Sequence, residues 1–310
     1  MKIHLGLTAL VALSVGCSDH MIAGPEPAAE EWIVTGDADI IVYADTSTSM
    51  QDNTLETVAS SVEVILARLG EADVNWQVLA VTGPDGCGQN GIITDETEDW
   101  QNKFAEGIRL PPEPQFDENG VDLSVDEWGL FNAQAAVDAS APGGCNEGFL
   151  RDDAHLHVVY ISDEDDNSPG FDGTDPEYWR PYVDAVVASK ADPAFVHLSA
   201  VTGPAPVGCS FADYGRGYVE AVNSVEGELL SICDDWAFEA DALADTSVTR
   251  DSFTLKDPPI EGSIRMFVDG LERIGGWTHD PELNEIVFAS DLPFAGQEVR
   301  ATYDVGYASN

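Results

Sequence analysis

Apolar positions fall into two textures along the chain. Between residues 37 and 244, short continuous apolar runs alternate with stretches of helical spacing. Residues 40–44, 75–82, 155–162 and 195–203 are runs of the length expected for strands buried on both faces, and 91–94 is a shorter edge strand. Leu55, Val58, Val62, Ile65, Leu66 and Leu69 recur at three- and four-residue intervals and predict a helix over 54–69. Further helices are expected over 97–107, 125–139, 176–190 (with Pro176 in its first turn), 217–230 and 232–244. This alternation predicts an α/β fold, a central, mostly parallel sheet flanked by helices on both faces.

After residue 244 the helical spacing stops. Runs at 252–255, 264–268, 285–288 and 298–303 are separated by turns at Asp269-Gly270, Gly275-Gly276 and Ala295-Gly296. They predict a small antiparallel β domain over 245–310. Trp236, Trp277, Tyr303 and Tyr307 are expected as core filling there, since aromatic rings dominate small β cores.

The first residues change the picture of where the chain works. Lys2 precedes an apolar stretch over 5–15 that is too short for a permanent membrane span. It ends in Leu13-Ser14-Val15-Gly16-Cys17, which resembles a bacterial lipobox. Residues 1–16 are therefore expected to be a lipoprotein signal peptide. Cys17 would be the lipidated N-terminus, and 17–36 a Pro-, Ala- and Glu-rich tether. Ser18 after the cysteine, rather than Asp, resembles the signal for outer-membrane sorting. With Cys17 lipidated, Cys87, Cys145, Cys209 and Cys233 form an even set for two disulfides in an oxidising compartment. Of three possible pairings, Cys87 with Cys145 and Cys209 with Cys233 is expected. The reasons are the glycine-flanked loops at Cys87, Cys145 and Cys209 and the short separation of the second pair. Zinc is not expected, because neither Cys-x-x-Cys nor His-x-x-x-His spacing occurs.

Thirteen Lys and Arg against 57 Asp and Glu give a net charge of -44. Such a chain is no nucleic-acid binder, because phosphate binding needs a cationic surface. Membrane contact is expected through the N-terminal lipid alone, since anionic headgroups repel the rest.

Candidate chemistry concentrates where the first apolar run ends. Asp45, Ser47 and Ser49 follow residues 40–44 at every second position, which aims three hard oxygens from one turn at a sheet rim. That donor set suits Mg²⁺, with Ca²⁺ or Mn²⁺ as alternatives. Helix capping explains one hydroxyl of the turn, but not an acid and two hydroxyls in register.

On this Asp-x-Ser-x-Ser turn, residues 37–244 resemble a von Willebrand factor type A (VWA) domain with its metal-ion-dependent adhesion site (MIDAS). The resemblance implies a cation held at Asp45, Ser47 and Ser49 and, after a later strand, at Asp163. It also implies an acidic side chain of a partner protein completing the coordination. The family's threonine loop has no clean counterpart here. Ser124 stands nearest to the expected place, and Asp126 or Glu127 would supply a carboxylate instead. Asp165 is a further alternate, because Asp163, Asp165 and Asn167 are spaced like the start of a calcium loop that lacks its glycine and final glutamate.

The expected function is a non-enzymatic, lipid-anchored adhesion-type module of a bacterial envelope. The alternatives are a structural lipoprotein whose metal only stabilises the fold, and a metal-dependent hydrolase. Serine hydrolysis lacks a Gly-x-Ser-x-Gly elbow. An aspartyl-phosphate role for Asp45 lacks a lysine at a strand end, since only Lys103, Lys190 and Lys256 follow the signal peptide.

Overall fold

The first two strands, β1 (Glu26–Ile33) and β2 (Asp37–Ala44), belong to different sheets. The computed structural model describes residues 26–50, 53–109, 127–171, 174–225 and 227–306. Strand β2 lies in the middle of a six-stranded sheet, with β3 (Asn75–Val81) and β4 (Gln89–Thr94) to one side. On the other side are β5 (Ala154–Ile161), β6 (Val196–Thr202) and β7 (Leu229–Ser231). Every pairing in this sheet is parallel except β3 with β4.

Six α-helices lie among the described residues: α1 (Asn53–Glu71), α2 (Trp100–Gly107), α3 (Gly129–Asp138), α4 (Arg180–Val187), α5 (Tyr218–Ser224) and α6 (Ala240–Ser247). The period of two in β2 divides them between two cores. Ile40, Val42 and Ala44 bury against α1, α2 and α6, whereas Ile41 and Tyr43 bury against α3, α4 and α5. A strand covered on both faces has no reason to alternate polar residues, which is why its apolar run is continuous.

The helix expected over 217–230 stops at Ser224, and the chain re-enters the sheet as β7. Gly227 makes this possible by passing against β6, where a Cβ would stand 1.7 Å from the Leu198 carbonyl oxygen. Ala200 N–H then donates to Glu228 O at 3.0 Å and starts the parallel pairing. The helix expected over 232–244 is a short 3-10 turn (Trp236–Glu239) followed by α6, which runs to Ser247.

The C-terminal part is two antiparallel sheets. One has the order β1-β13-β9-β10, with β9 (Arg265–Val268), β10 (Leu271–Arg273) and β13 (Glu298–Val305). The other has the order β11-β12-β8, with β8 (Ser252–Thr254), β11 (Trp277–Asp280) and β12 (Glu285–Phe288). Phe253 and Ile286 from one sheet meet Met266, Val299 and Tyr303 from the other in a third core.

This part corrects the tether expected over 17–36. Residues 26–33 are β1, paired with the last strand from Glu26↔Val305 to Ile33↔Glu298. The small β unit is thus closed by a segment from the other end of the chain, and only 17–25 of the expected tether lie outside the described residues. Trp236 is also corrected: it buries in the α/β core, not in the small β unit.

Both expected disulfides form, Cys87–Cys145 and Cys209–Cys233. The first closes a loop over a sequence separation of 58. Replacing both of its cysteines with serine is expected to cost about 4 kcal/mol by loop-closure entropy, read from urea unfolding midpoints. A loss under about 1 kcal/mol would mean that the unfolded chain gains little from the broken link. The site would then be held by Asn146, whose side chain accepts from Gly88 N at 2.9 Å and donates to Gly86 O at 2.8 Å.

Candidate metal centre

Parallel strands carry the candidate residues to one rim of the sheet. Asp45 directly follows β2 and Ser162-Asp163 directly follow β5, and the register Ala44↔Ile161 sets the two strand ends level. Asp45 N–H donates to Ile161 O at 3.0 Å. The buried Asp45 carboxylate is fixed at both oxygens: Oδ1 accepts from Ser47 N at 2.7 Å and Oδ2 accepts from Ser162 Oγ at 2.8 Å. Ser47 Oγ and Ser49 Oγ lie 2.9 Å apart, and Ser49 Oγ donates to Asp163 Oδ1 at 3.2 Å. Four of the expected ligands are therefore joined in one hydrogen-bonded chain. Asp45 and Asp163 are buried, whereas Ser49 is exposed, so the group opens to solvent.

Two glutamates complete the rim. One carboxylate oxygen each from Asp45, Glu127 and Glu164 lie within 4.8 Å of one another. Glu127 precedes α3 and is braced by the loop after β5, with Asn167 N donating to Glu127 O at 2.7 Å and Asn167 Nδ2 to Oε2 at 3.3 Å. The same loop caps α3. The fully buried Asp166 accepts from Leu130 N at 3.0 Å and from Ser168 Oγ at 2.9 Å. Gly129 lets the helix start this close to the strands, since a Cβ would stand 2.5 Å from the Tyr218 hydroxyl and 2.7 Å from the Tyr43 ring.

Burial and like charge act together on these acids. Burial pushes Asp45 up to about 6, against the Ser47 and Ser162 hydrogen bonds and with help from Glu127. Glu164 is pushed up to about 7 by burial, then by Glu127, Asp45 and Asp163. Asp163 is raised by burial and by Glu127 and Asp213, with Ser49 opposing. Burial also pushes Asp166 up to about 7. The donors are all hard oxygens, the set that Mg²⁺, Mn²⁺ and Ca²⁺ prefer, and a cation there would relieve the repulsion.

The rim differs in detail from the sequence-based expectation. Ser124 and Asp126 lie outside the described residues. Glu127 does reach the cluster, as a carboxylate where the VWA pattern has a hydroxyl. Asp165 does not join it; Arg216 holds its carboxylate at 3.1 Å. Glu164 was missed. Its only signal was its place in the acidic run 163–166, which does not say which acid turns toward Asp45.

No protein-family model and no curated protein matches the chain. Solved structures similar to it include a von Willebrand factor type A protein from Catenulispora acidiphila, at 11% identity and a TM-score of 0.41 over 92% of this chain. Others are proximal thread matrix protein 1 of the mussel byssus (15%, 0.41, over 74%) and the pilus adhesin SpaC from Lactobacillus rhamnosus GG (13%, 0.40, over 90%). The chain spans 66%, 52% and 40% of these three proteins, respectively. These are loose resemblances, and the candidate metal centre stands on its own residues.

Proposed function

We propose that the chain is a non-enzymatic, divalent-cation-dependent protein-binding module of the VWA kind, carried on a bacterial outer membrane by lipid at Cys17. The observation that carries this reading is the convergence of Asp45, Glu127 and Glu164 within 4.8 Å, sharing Asp45 with the linked Ser47, Ser49 and Asp163. Asp45, Ser47, Ser49 and Asp163 would hold Mg²⁺, or Ca²⁺ or Mn²⁺. When bound, the cation supplies charge that offsets the carboxylates and a coordination position for an acidic side chain of a partner protein. The remaining residues position this set: Ser162 orients Asp45, and Asn167 with Asp166 fixes Glu127 before α3. Two disulfides fit an oxidising compartment, and no helix among the described residues is long and apolar enough to cross a membrane.

A second reading rests on the same acids. Asp45, Asp163, Glu127 and Glu164, all ionised, leave a charge of -2 around one divalent ion (four negative, two positive). Such a centre favours Ca²⁺ and repels an acidic partner, which suits a cation that only stabilises the fold.

Capture of partner proteins from envelope extract, with and without chelator, separates the two readings. Capture that needs the cation, is lost in Ser47→Ala and persists in Glu164→Gln is the expected result. Unchanged capture with a lower melting temperature after chelation would favour the structural cation. Turnover of a phosphoester or glycan panel, lost in Asp45→Ala, would overturn both.

A further inference from the structure

The small β unit carries a cleft of about 480 Å³ that the metal centre does not use. Its size is that of a small-ligand pocket. Pro259, Ile264 and Pro281 wall it, and Trp277 and His279 reach it from the same face of β11. Trp277 is only half-buried, unlike the core aromatics Phe253 and Tyr303. Its indole N–H already donates to Arg273 O at 2.8 Å, so what it offers a guest is its aromatic ring.

Glu261 supplies the charge. It stands in a turn closed by Ser263 N donating to Ile260 O at 3.0 Å, where Gly262 takes the positive φ of 76° that the turn requires. Ser263 Oγ accepts from Asp304 N at 3.0 Å and pins that turn to β13. The Glu261 carboxylate makes no hydrogen bond or ion pair with any described residue.

We propose that this cleft binds a basic side chain, lysine ammonium or arginine guanidinium, of a partner protein. The cation lies over the Trp277 ring, its methylene stem runs between Pro259, Ile264 and Pro281, and its charge faces Glu261. An aromatic face attracts a cation through its quadrupole, and a carboxylate beside it adds to that attraction. The field of a chain with net charge -44 concentrates basic partners around it. A neutral sugar fits less well, because the indole N–H is taken and the polar lining is reduced to Glu261 and His279.

The test titrates the full chain, in chelator, with N-acetyl-lysine methylamide and N-acetyl-arginine methylamide, followed by the indole N–H resonances. The uncharged norleucine analogue and a hexose panel run beside them. The cationic amides are expected to shift the Trp277 resonance, with norleucine at least about tenfold weaker and Glu261→Gln weakening them about tenfold. In Trp277→Phe and Trp277→Ala, where the backbone amides of Gly262 and His279 in the same cleft replace the lost indole as probes, the first should retain part of the binding and the second none. If Trp277→Ala does not fold, Glu261→Gln and Trp277→Phe decide. Removing one acid of 57 barely changes a general surface attraction. Binding unchanged in Glu261→Gln would therefore overturn the proposal, as would hexose binding in place of the amides.

Discussion

Asp45→Asn is expected to abolish measurable Mg²⁺ or Ca²⁺ binding, a loss of about 100-fold or more, while making the cation-free protein more stable at pH 7. The asparagine keeps the size of the side chain and an acceptor for Ser47 N, so the turn survives, but the charge at the centre of the cluster is gone. Asp45 sits at about 6 instead of 3.8, mainly through burial. Between those values the folded chain holds a proton that the unfolded chain has released. Cation-free stability therefore falls as pH rises through that window. A raised carboxylate is thus a cost at neutral pH, on the order of 1–3 kcal/mol for a shift of about two units. Removing it should lift the pH 7 stability and flatten the slope between pH 4 and 6. Urea unfolding in chelator across that range reads both effects, and calorimetric titration with each cation reads the affinity. A variant that binds cation as the wild type does would show that the centre is elsewhere.

How much of this was legible in the sequence depended on burial. Strands β2 and β5 are covered on both faces, and their continuous apolar runs announced them and the polar residues at their ends. Strand β1 carries Glu26, Pro27, Glu30 and Glu31 at a sheet edge, where one side faces water and Pro is tolerated, so it was read as tether. Strand β7 is three residues long and depends on Gly227 passing against Leu198, a tertiary fact with no local pattern. The same division holds for the site. Asp45, Ser47 and Ser49 are neighbours along the chain and were legible as a unit. Asp163, which the structure sets beside Ser49, was legible because a strand precedes it and the VWA pattern places an acid there. Glu164 and Glu127 meet Asp45 only through the folding of the loop after β5 against the start of α3. His155 and His157, near the start of β5, are both buried; His157 lies between Ser199 and Ser247 at 2.8 Å from each hydroxyl.

A large stability loss is expected far from the candidate metal centre, in Asp39→Ala. Asp39 sits near the start of β2, at the opposite end of the strand from Asp45, and is fully buried. Its Oδ1 accepts from Arg151 Nε at 2.7 Å, and its Oδ2 accepts from Arg151 N at 2.7 Å and faces Lys190 Nζ at 3.5 Å. Arg151 spreads further, to Asp37 Oδ2 at 2.9 Å, Ala38 O at 2.9 Å and Asn75 O at 3.0 Å, and so ties β2 and β3 to the chain before β5. Lys190 Nζ also donates to Arg151 O. Burial raises Asp39 and lowers Lys190, so desolvation works against both charges, and the network as a whole is a weak source of stability. Removing one member is a different matter. Alanine at 39 leaves a buried ammonium and a half-buried guanidinium without their shared carboxylate, a change that costs about 3–5 kcal/mol. Lys190→Met should cost much less, because Asp39 keeps Arg151 and the methionine fills the space of the lysine stem. Combined with Asp39→Ala, it should recover part of the loss by removing the stranded charge. Urea unfolding of the three variants measures this coupling. A loss below about 1 kcal/mol in Asp39→Ala would mean that water reaches the two cations once the carboxylate is gone.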